Sequence, residues 1–164
     1  MFKLISLLRG KKRMAKAIDV ARYIIDCYDV DNLKLQKLLY YTQGVYMTLN
    51  DGKPLFNDKI EAWTYGPVVP SVYRKFKDEG FINSKTNIRD NGEEVKNSNL
   101  TANEITAISI TLEYYGKNSG VELINKTHKE SPWIDNYNPN NIHTEIPKEE
   151  IYNFFKTTLR FENV

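Results

Sequence analysis

Apolar residues recur at steps of three and four in one segment after another of this chain, and that spacing commits it to helices. From Ala15 onward, Ala17, Ile18, Ala21, Ile24, Ile25 and Tyr28 line one face of a first helix, which Met14 opens. Asp29, Asp31 and Asn32 then offer short side chains that bond backbone amides left free at a helix start. A second helix follows, with Leu35, Leu38, Leu39, Thr42, Val45, Tyr46 and Leu49 as its buried face. Asn50-Asp51-Gly52 ends it with residues that tolerate a left-handed turn. Pro54 to Tyr65 is less regular, and Ile60 to Trp63 reads as a short strand before a turn at Gly66-Pro67. Val69, Val72, Tyr73 and Phe76 restore a helical stripe, with a proline near its first turn and Gly80 at its end.

Residues 83–99 are polar, rich in Asn and broken by Asp90-Asn91-Gly92, which predicts an exposed loop with room for a small hairpin. Thr101-x-x-Glu104 and Ser119-x-x-Glu122 are capping boxes, in which hydroxyl and carboxylate each satisfy a backbone donor. The first opens a helix through Ile105, Ile108, Leu112 and Tyr115; the second opens one through Val121, Leu123, Ile124 and Thr127. Ser131-Pro132-Trp133 reads as an N-cap followed by proline. A last helix starts near Pro147, with Ile151, Phe154, Phe155, Thr158 and Leu159 as its stripe. The expected fold is mainly α, a compact single-domain bundle of about six helices, with a small β element near residues 55–65 and 81–95.

With 164 residues, 41% hydrophobic and only 8 Gly and 6 Pro, the chain is long and apolar enough for one core and is not disordered throughout. Its single cysteine, Cys27, forms no internal disulfide, and no Cys/His cluster exists to hold zinc, which suits a reducing cytoplasm. No apolar run approaches the roughly 20 residues that cross a bilayer. The net charge of +2 is uneven: residues 1–13 carry Lys3, Arg9, Lys11, Lys12 and Arg13 and no acid, leaving 18 basic against 21 acidic residues. In that leader the apolar residues precede the basic ones, the reverse of a secretory signal, so it reads as a basic extension to a domain spanning 14–164.

A search for chemistry returns little. There is no glycine-rich phosphate loop, HExxH, nucleophile elbow or dinucleotide fingerprint, so no enzyme, cofactor or metal is expected. Cys27 sits beside the stripe of the first helix, where a buried neutral thiol is the usual state, and His128 lies near a helix end, where an imidazole bonds free carbonyls. His143 lies in a polar loop. The pairs Glu93/Glu94 and Glu149/Glu150 are adjacent, point apart on a helix, and read as solvated charge.

Three segments are denser in aromatic, Gln, Gly and Pro residues than amphipathic helices require: Leu33 to Gly44 (LKLQKLLYYTQG), Glu61 to Tyr73 (EAWTYGPVVPSVY), and Thr127-His128 with Pro132-Trp133. In order and spacing they resemble the Panacea domain, also called the SocA-like or phage-associated antitoxin domain, across about residues 15–160. The resemblance implies a helical antitoxin of a bacterial or phage toxin-antitoxin pair. Such a protein neutralises a cognate protein toxin, encoded by the adjacent gene, through direct contact, and some relatives deliver the toxin to a protease. The motif residues are Leu35, Gln36, Lys37, Tyr40, Tyr41, Gln43, Gly44, Trp63, Tyr65, Gly66, Pro67, Val68, Tyr73, His128, Pro132 and Trp133. They are expected to be scaffold: Trp63, Tyr40 and Trp133 fill the core, while Gln36, Gln43 and Tyr65 satisfy buried polar groups. Toxin contacts then fall on variable surfaces, such as the 83–99 loop and the outward faces of the end helices, with Tyr114, Tyr115 and Tyr152 as candidate anchors.

The alternative is a helix-turn-helix-like DNA-binding regulator of a prophage or toxin-antitoxin operon, with Lys34, Lys37 and the Lys11-Lys12-Arg13 arm on phosphates. The net negative body and the Tyr and Leu residues on several faces of the second helix speak against nucleic acid. The apolar stripes leave room for a homodimer face.

Overall fold

The second helix is the axis around which the others pack. In the computed structural model, which describes residues 14–78 and 99–159 together with the backbone of 81–82, the first helix α1 (Ala17–Cys27) leads through β1 (Val30–Asp31) into α2 (Asn32–Leu49). After an irregular segment come β2 (Glu61–Trp63), β3 (Gly66–Val68), α3 (Pro70–Phe76) and β4 (Phe81–Ile82). The chain closes with α4 (Ala102–Tyr115), α5 (Gly120–Thr127), α6 (Ser131–Ile134) and α7 (Lys148–Thr158). The architecture is mainly helical with small antiparallel β elements, as the periodicity predicts. The leader 1–13, Gly80, the stretch 83–98 and Glu93/Glu94 lie outside the described residues.

α2 packs against α1, α3, α4, α5, α7 and β3. It is therefore buried all round, including Gln36, Lys37, Tyr40, Tyr41, Thr42, Gln43 and Gly44, whereas the sequence predicts a single buried face. Leu49 from that face is 39% exposed and Tyr46 half-buried. A helix enclosed on every side must satisfy its polar side chains internally. Gln36 Oε1 accepts from the Val69 amide (2.9 Å), while its Nε2 donates to Asn32 Oδ1 (2.8 Å). Gln43 Oε1 accepts from the Leu55 amide (2.8 Å) and its Nε2 donates to the Phe56 carbonyl (2.9 Å), so one side chain pins the irregular segment whose Leu55 and Phe56 enter the core. Gln43→Leu strands those backbone groups and is expected to cost about 2 kcal/mol in urea unfolding, with faster hydrogen exchange at the Leu55 amide.

The caps hold where the sequence places them. Asp31 accepts from the Lys34 amide (2.7 Å), and both boxes close, Thr101 with Glu104 and Ser119 with Glu122. Asp51 (φ 53°) and Gly52 (φ 82°) turn the chain after α2. α1 begins at Ala17, later than Met14, where Asp58 accepts from the Ala17 amide (3.0 Å) and from the Ser71 hydroxyl (2.7 Å), tying the starts of α1 and α3. Glu130 occupies the N-cap position of α6 and Ser131 is its first residue, so the helix starts one place earlier than expected. Val121, expected inside, is 63% exposed, and Thr158 is exposed at the end of α7.

β2 and β3 form a hairpin with Glu61 opposite Val68, Ala62 opposite Pro67 and Trp63 opposite Gly66. The turn is thus Thr64-Tyr65, with Gly66-Pro67 opening the returning strand. Gly66 has φ 103°, and an added Cβ would lie within 3.0 Å of Lys37 Cε and Thr127 Oγ1, so glycine is needed both for conformation and for close approach. The 144–146 segment runs along β2: the Ala62 amide donates to the Thr144 carbonyl (2.9 Å) and the Ile146 amide to the Ile60 carbonyl (2.7 Å). β4 pairs with β1, Val30 opposite Ile82 and Asp31 opposite Phe81. Among the described residues, no helix is long and apolar enough to cross a membrane.

Candidate functional site

The three dense motifs meet at one corner, joined chiefly through backbone carbonyls. Lys37 Nζ, fully buried, donates to the Pro67 carbonyl (3.0 Å). Trp133 Nε1 donates to the Trp63 carbonyl (2.7 Å), while Trp63 Nε1 donates to Glu61 Oε2 (2.6 Å). His128 Nε2 lies 3.1 Å from the Thr64 carbonyl, which only accepts, so this nitrogen carries the proton. Its ring stacks on Trp133 (4.0 Å), which stacks in turn on Tyr137 (4.6 Å). Trp63 meets Tyr73 and His143 edge-on, and His143 Nδ1 lies 3.1 Å from Glu61.

Leu35, Gln36, Lys37, Tyr40, Tyr41, Gln43, Gly44, Gly66, Pro67, Val68 and Pro132 are buried; Trp63, Tyr73, His128 and Trp133 are half-buried at the margin. Tyr65 is 65% exposed and satisfies no buried group. It occupies the hairpin turn, which points a side chain away from the core. Burial lowers the Lys37 pKa from 10.5 to about 7, against the opposing pull of Asp31.

Behind this corner lies an acidic and aromatic centre. The Tyr41 hydroxyl donates to Glu130 Oε1 (3.0 Å) and Oε2 (3.1 Å), and the Tyr41 ring stacks on Tyr115 at 3.9 Å. Burial pushes the Glu130 carboxyl up to about 7, only partly offset by the Tyr41 bond and the charge of Lys126. Burial and then the Glu130 charge hold the Tyr40, Tyr41 and Tyr115 phenols above their usual range. The Tyr40 hydroxyl is buried facing Glu130 and helps offset its charge, but among the described residues it makes no well-aligned hydrogen bond. Glu130 opens on one side to a cleft of about 570 Å³ between α5 and α7, lined also by Tyr115, Lys126, Lys129, Phe154 and Phe155. Sequence reasoning missed Glu130, although it sits between His128 and Pro132. The available signal was a charged residue embedded in an otherwise apolar and aromatic motif.

Of the candidate anchors, Tyr114 is 58% exposed and lies beside Tyr115. Tyr115 is half-buried against Tyr41. Tyr152 packs beside Gly52, with Lys156 Nζ 4.9 Å from its ring centre. Cys27 is exposed at the end of α1, not buried, and its thiol is pushed up by partial burial and Asp26. His128 is engaged by Thr64 and Trp133, so a Cys/His pair has no geometric support. Glu149 and Glu150 lie exposed in the first turn of α7, and Glu150 accepts from Asn136. The helix-turn-helix outline also fails: α2 is enclosed, Lys37 is spent on Pro67, and Lys34 Nζ donates to the Gly116 carbonyl (2.6 Å).

Comparison with known proteins agrees with this corner. A family model described as Antitoxin SocA-like, Panacea domain, matches residues 35–134, from α2 to the end of α6. The chain belongs to this family. The Panacea match thus covers the ties among Lys37, Trp63, Thr64, Pro67, His128 and Trp133, while Tyr137, His143 and α7 lie beyond it. A curated relative, Antitoxin SocA of Caulobacter vibrioides (strain NA1000 / CB15N), is 49% identical over 51 residues, which is 31% of this chain and 27% of that protein. The chain therefore matches only about a quarter of the relative's length. No solved structure matches significantly.

Proposed function

We propose that this chain is the antitoxin of a toxin-antitoxin pair and neutralises a cognate protein toxin by direct contact. The observation that carries the reading is the Panacea match over residues 35–134, reinforced by the partial likeness to Antitoxin SocA. Apart from the exposed Tyr65, the polar motif side chains are spent on one another and on backbone groups, so they act as scaffold, and the toxin meets surfaces around them. The mechanism is occlusion: a few aromatic anchors bury a complementary face of the toxin. Tyr114 is the exposed member of the anchor set and Tyr115 its half-buried neighbour.

Co-expression with the product of the adjacent reading frame tests this. The neighbour is expected to arrest growth alone, to be tolerated with this chain, and to co-purify with it. A chain starting at Met14 is expected to protect as well as the full one, as an extension outside a 14–164 domain requires. Occlusion leaves the toxin's half-life unchanged when growth is rescued; a half-life shortened by this chain, and restored in a protease-deficient host, marks the adaptor route. A harmless neighbour that forms no complex removes the antitoxin reading.

A further inference from the structure

Glu130 is only 7% exposed, yet its carboxylate borders an open cleft. An ionised carboxylate presents about four lone-pair sites, and among the described residues the donors facing Glu130 are the Tyr41 hydroxyl, at 3.0 and 3.1 Å, and the less well aligned Tyr40 hydroxyl. Two lysines line the same cleft without pairing to it; Lys126 Nζ sits instead 5.9 Å from the centre of the Tyr115 ring. A carboxylate taken out of water with two phenol donors and no directly paired cation is incompletely compensated. The walls beside it are Tyr115, Phe154 and Phe155, apolar surface of the kind that covers the hydrocarbon stem of a long basic side chain.

We propose that the α5/α7 cleft receives a single arginine or lysine side chain from an apolar segment of the protein partner, its charged head on Glu130 and its stem along Tyr115 and Phe154. This rests on the antitoxin reading, in which that partner is the toxin. An acidic segment drawn by Lys126 and Lys129 would bring a second negative charge towards Glu130 and leave only the unpaired charge of Lys126 to offset the buried carboxylate. A basic head supplies the missing donors, and an aromatic wall favours a cation over a neutral group.

Binding a cation also fixes Glu130 in its ionised form. The groups facing it are Tyr40 and Tyr41 from α2, Tyr115 from α4, and Glu122, Lys126 and Lys129 from α5; the cleft residues of α7 are Phe154, Phe155, Thr158 and Leu159, none of which titrates. The phenols are pushed up, away from neutrality, so Glu130 is the facing group displaced into the neutral range. Association then tightens from pH 6 to pH 8.

The test pans the full chain against a random dodecapeptide library at pH 8 and low salt, then measures synthetic copies of the selected peptides by calorimetry. Selected peptides are expected to carry Arg or Lys between apolar residues. Replacing that residue by norleucine should weaken binding at least tenfold to the wild type and less than twofold to Glu130→Gln, which keeps shape and the Tyr41 bond. Thr158→Trp, on the exposed rim of the cleft, should block binding without altering the melting temperature. Recovery of no peptide, selection of acidic peptides, or an equal norleucine penalty on Glu130→Gln overturns the proposal. Growth rescue separates the two readings. A toxin neutralised equally well by folded Glu130→Gln and Thr158→Trp overturns the cleft as its contact and leaves the antitoxin intact; a harmless neighbour removes the antitoxin and with it the partner named here.

Discussion

Gly44→Ala is expected to lower stability by about 2–3 kcal/mol, although alanine is the better helix former by roughly 1 kcal/mol. Gly44 lies in the middle of α2, and a Cβ there would fall within 3.0 Å of three atoms of the Phe155 ring. That ring is held by aromatic neighbours. It is 1% exposed and meets Tyr40 at 5.4 Å, Tyr41 at 5.9 Å and Phe154 at 5.2 Å, all edge to face. The glycine is thus a socket through which α7 reaches the axis of the fold. Phe155→Ala empties it and should cost about 3–5 kcal/mol. The decisive measurement is the double-mutant cycle in urea: with Phe155→Ala already in place, Gly44→Ala should become neutral or stabilising, because its clash is gone. A Gly44→Ala protein as stable as the wild type would show that the contact between α2 and α7 is looser than this packing requires.

What the sequence reveals of this fold follows from which interactions are local. Thr101 with Glu104, Ser119 with Glu122, and Asp31 with the Lys34 amide close within three residues, and each is legible in the spacing of the letters. The apolar stripe of α1 is equally legible because one face of that helix remains outside. α2 defeats the same method. A helix buried on every side along its middle has no polar face to give it phase, so the periodicity selects seven residues where thirteen of the eighteen are buried. The pairing of β1 with β4 joins residues about fifty apart and leaves no local mark. The hairpin turn is displaced from Gly66-Pro67 because Gly66 is needed against Lys37 and Thr127, a demand set by other elements. At the candidate site, the motifs betray themselves by density, but the bonds between them end on the carbonyls of Trp63, Thr64 and Pro67, which no side-chain pattern encodes. Glu130 was invisible for a related reason: its role depends on Tyr41, eighty-nine positions away.

Glu130→Gln is expected to stabilise the protein at pH 8 relative to pH 5, by up to about 3 kcal/mol after any constant offset between the two side chains is removed. The folded protein holds the Glu130 proton up to about pH 7, whereas the unfolded chain releases it near 4.5. Between those values the native state binds more protons than the unfolded state, so raising the pH through this window erodes stability, and the full loss is in place above 7. Gln cannot ionise and escapes that loss, so the stability gap between variant and wild type should open between pH 5 and 7 and stay constant beyond. Lys37 acts in the opposite sense at higher pH. Its folded pKa is depressed to about 7 against 10.5 unfolded, so its penalty is present in full below pH 7 and relaxes as the pH rises towards 10. Lys37→Met, which removes that charge together with the bond to Pro67, should therefore shrink the alkaline rise in stability and leave the Glu130 window untouched. Urea unfolding at pH 5, 6, 7, 8 and 9 on the three proteins separates the two. A carboxylate that weakens the fold at neutral pH, held at the wall of an open cleft, is consistent with selection for contact and not for stability. A gap between Glu130→Gln and wild type that does not change across pH 5 to 8 would mean that Glu130 ionises as an ordinary solvated acid, and both its burial and its role in the cleft would have to be abandoned.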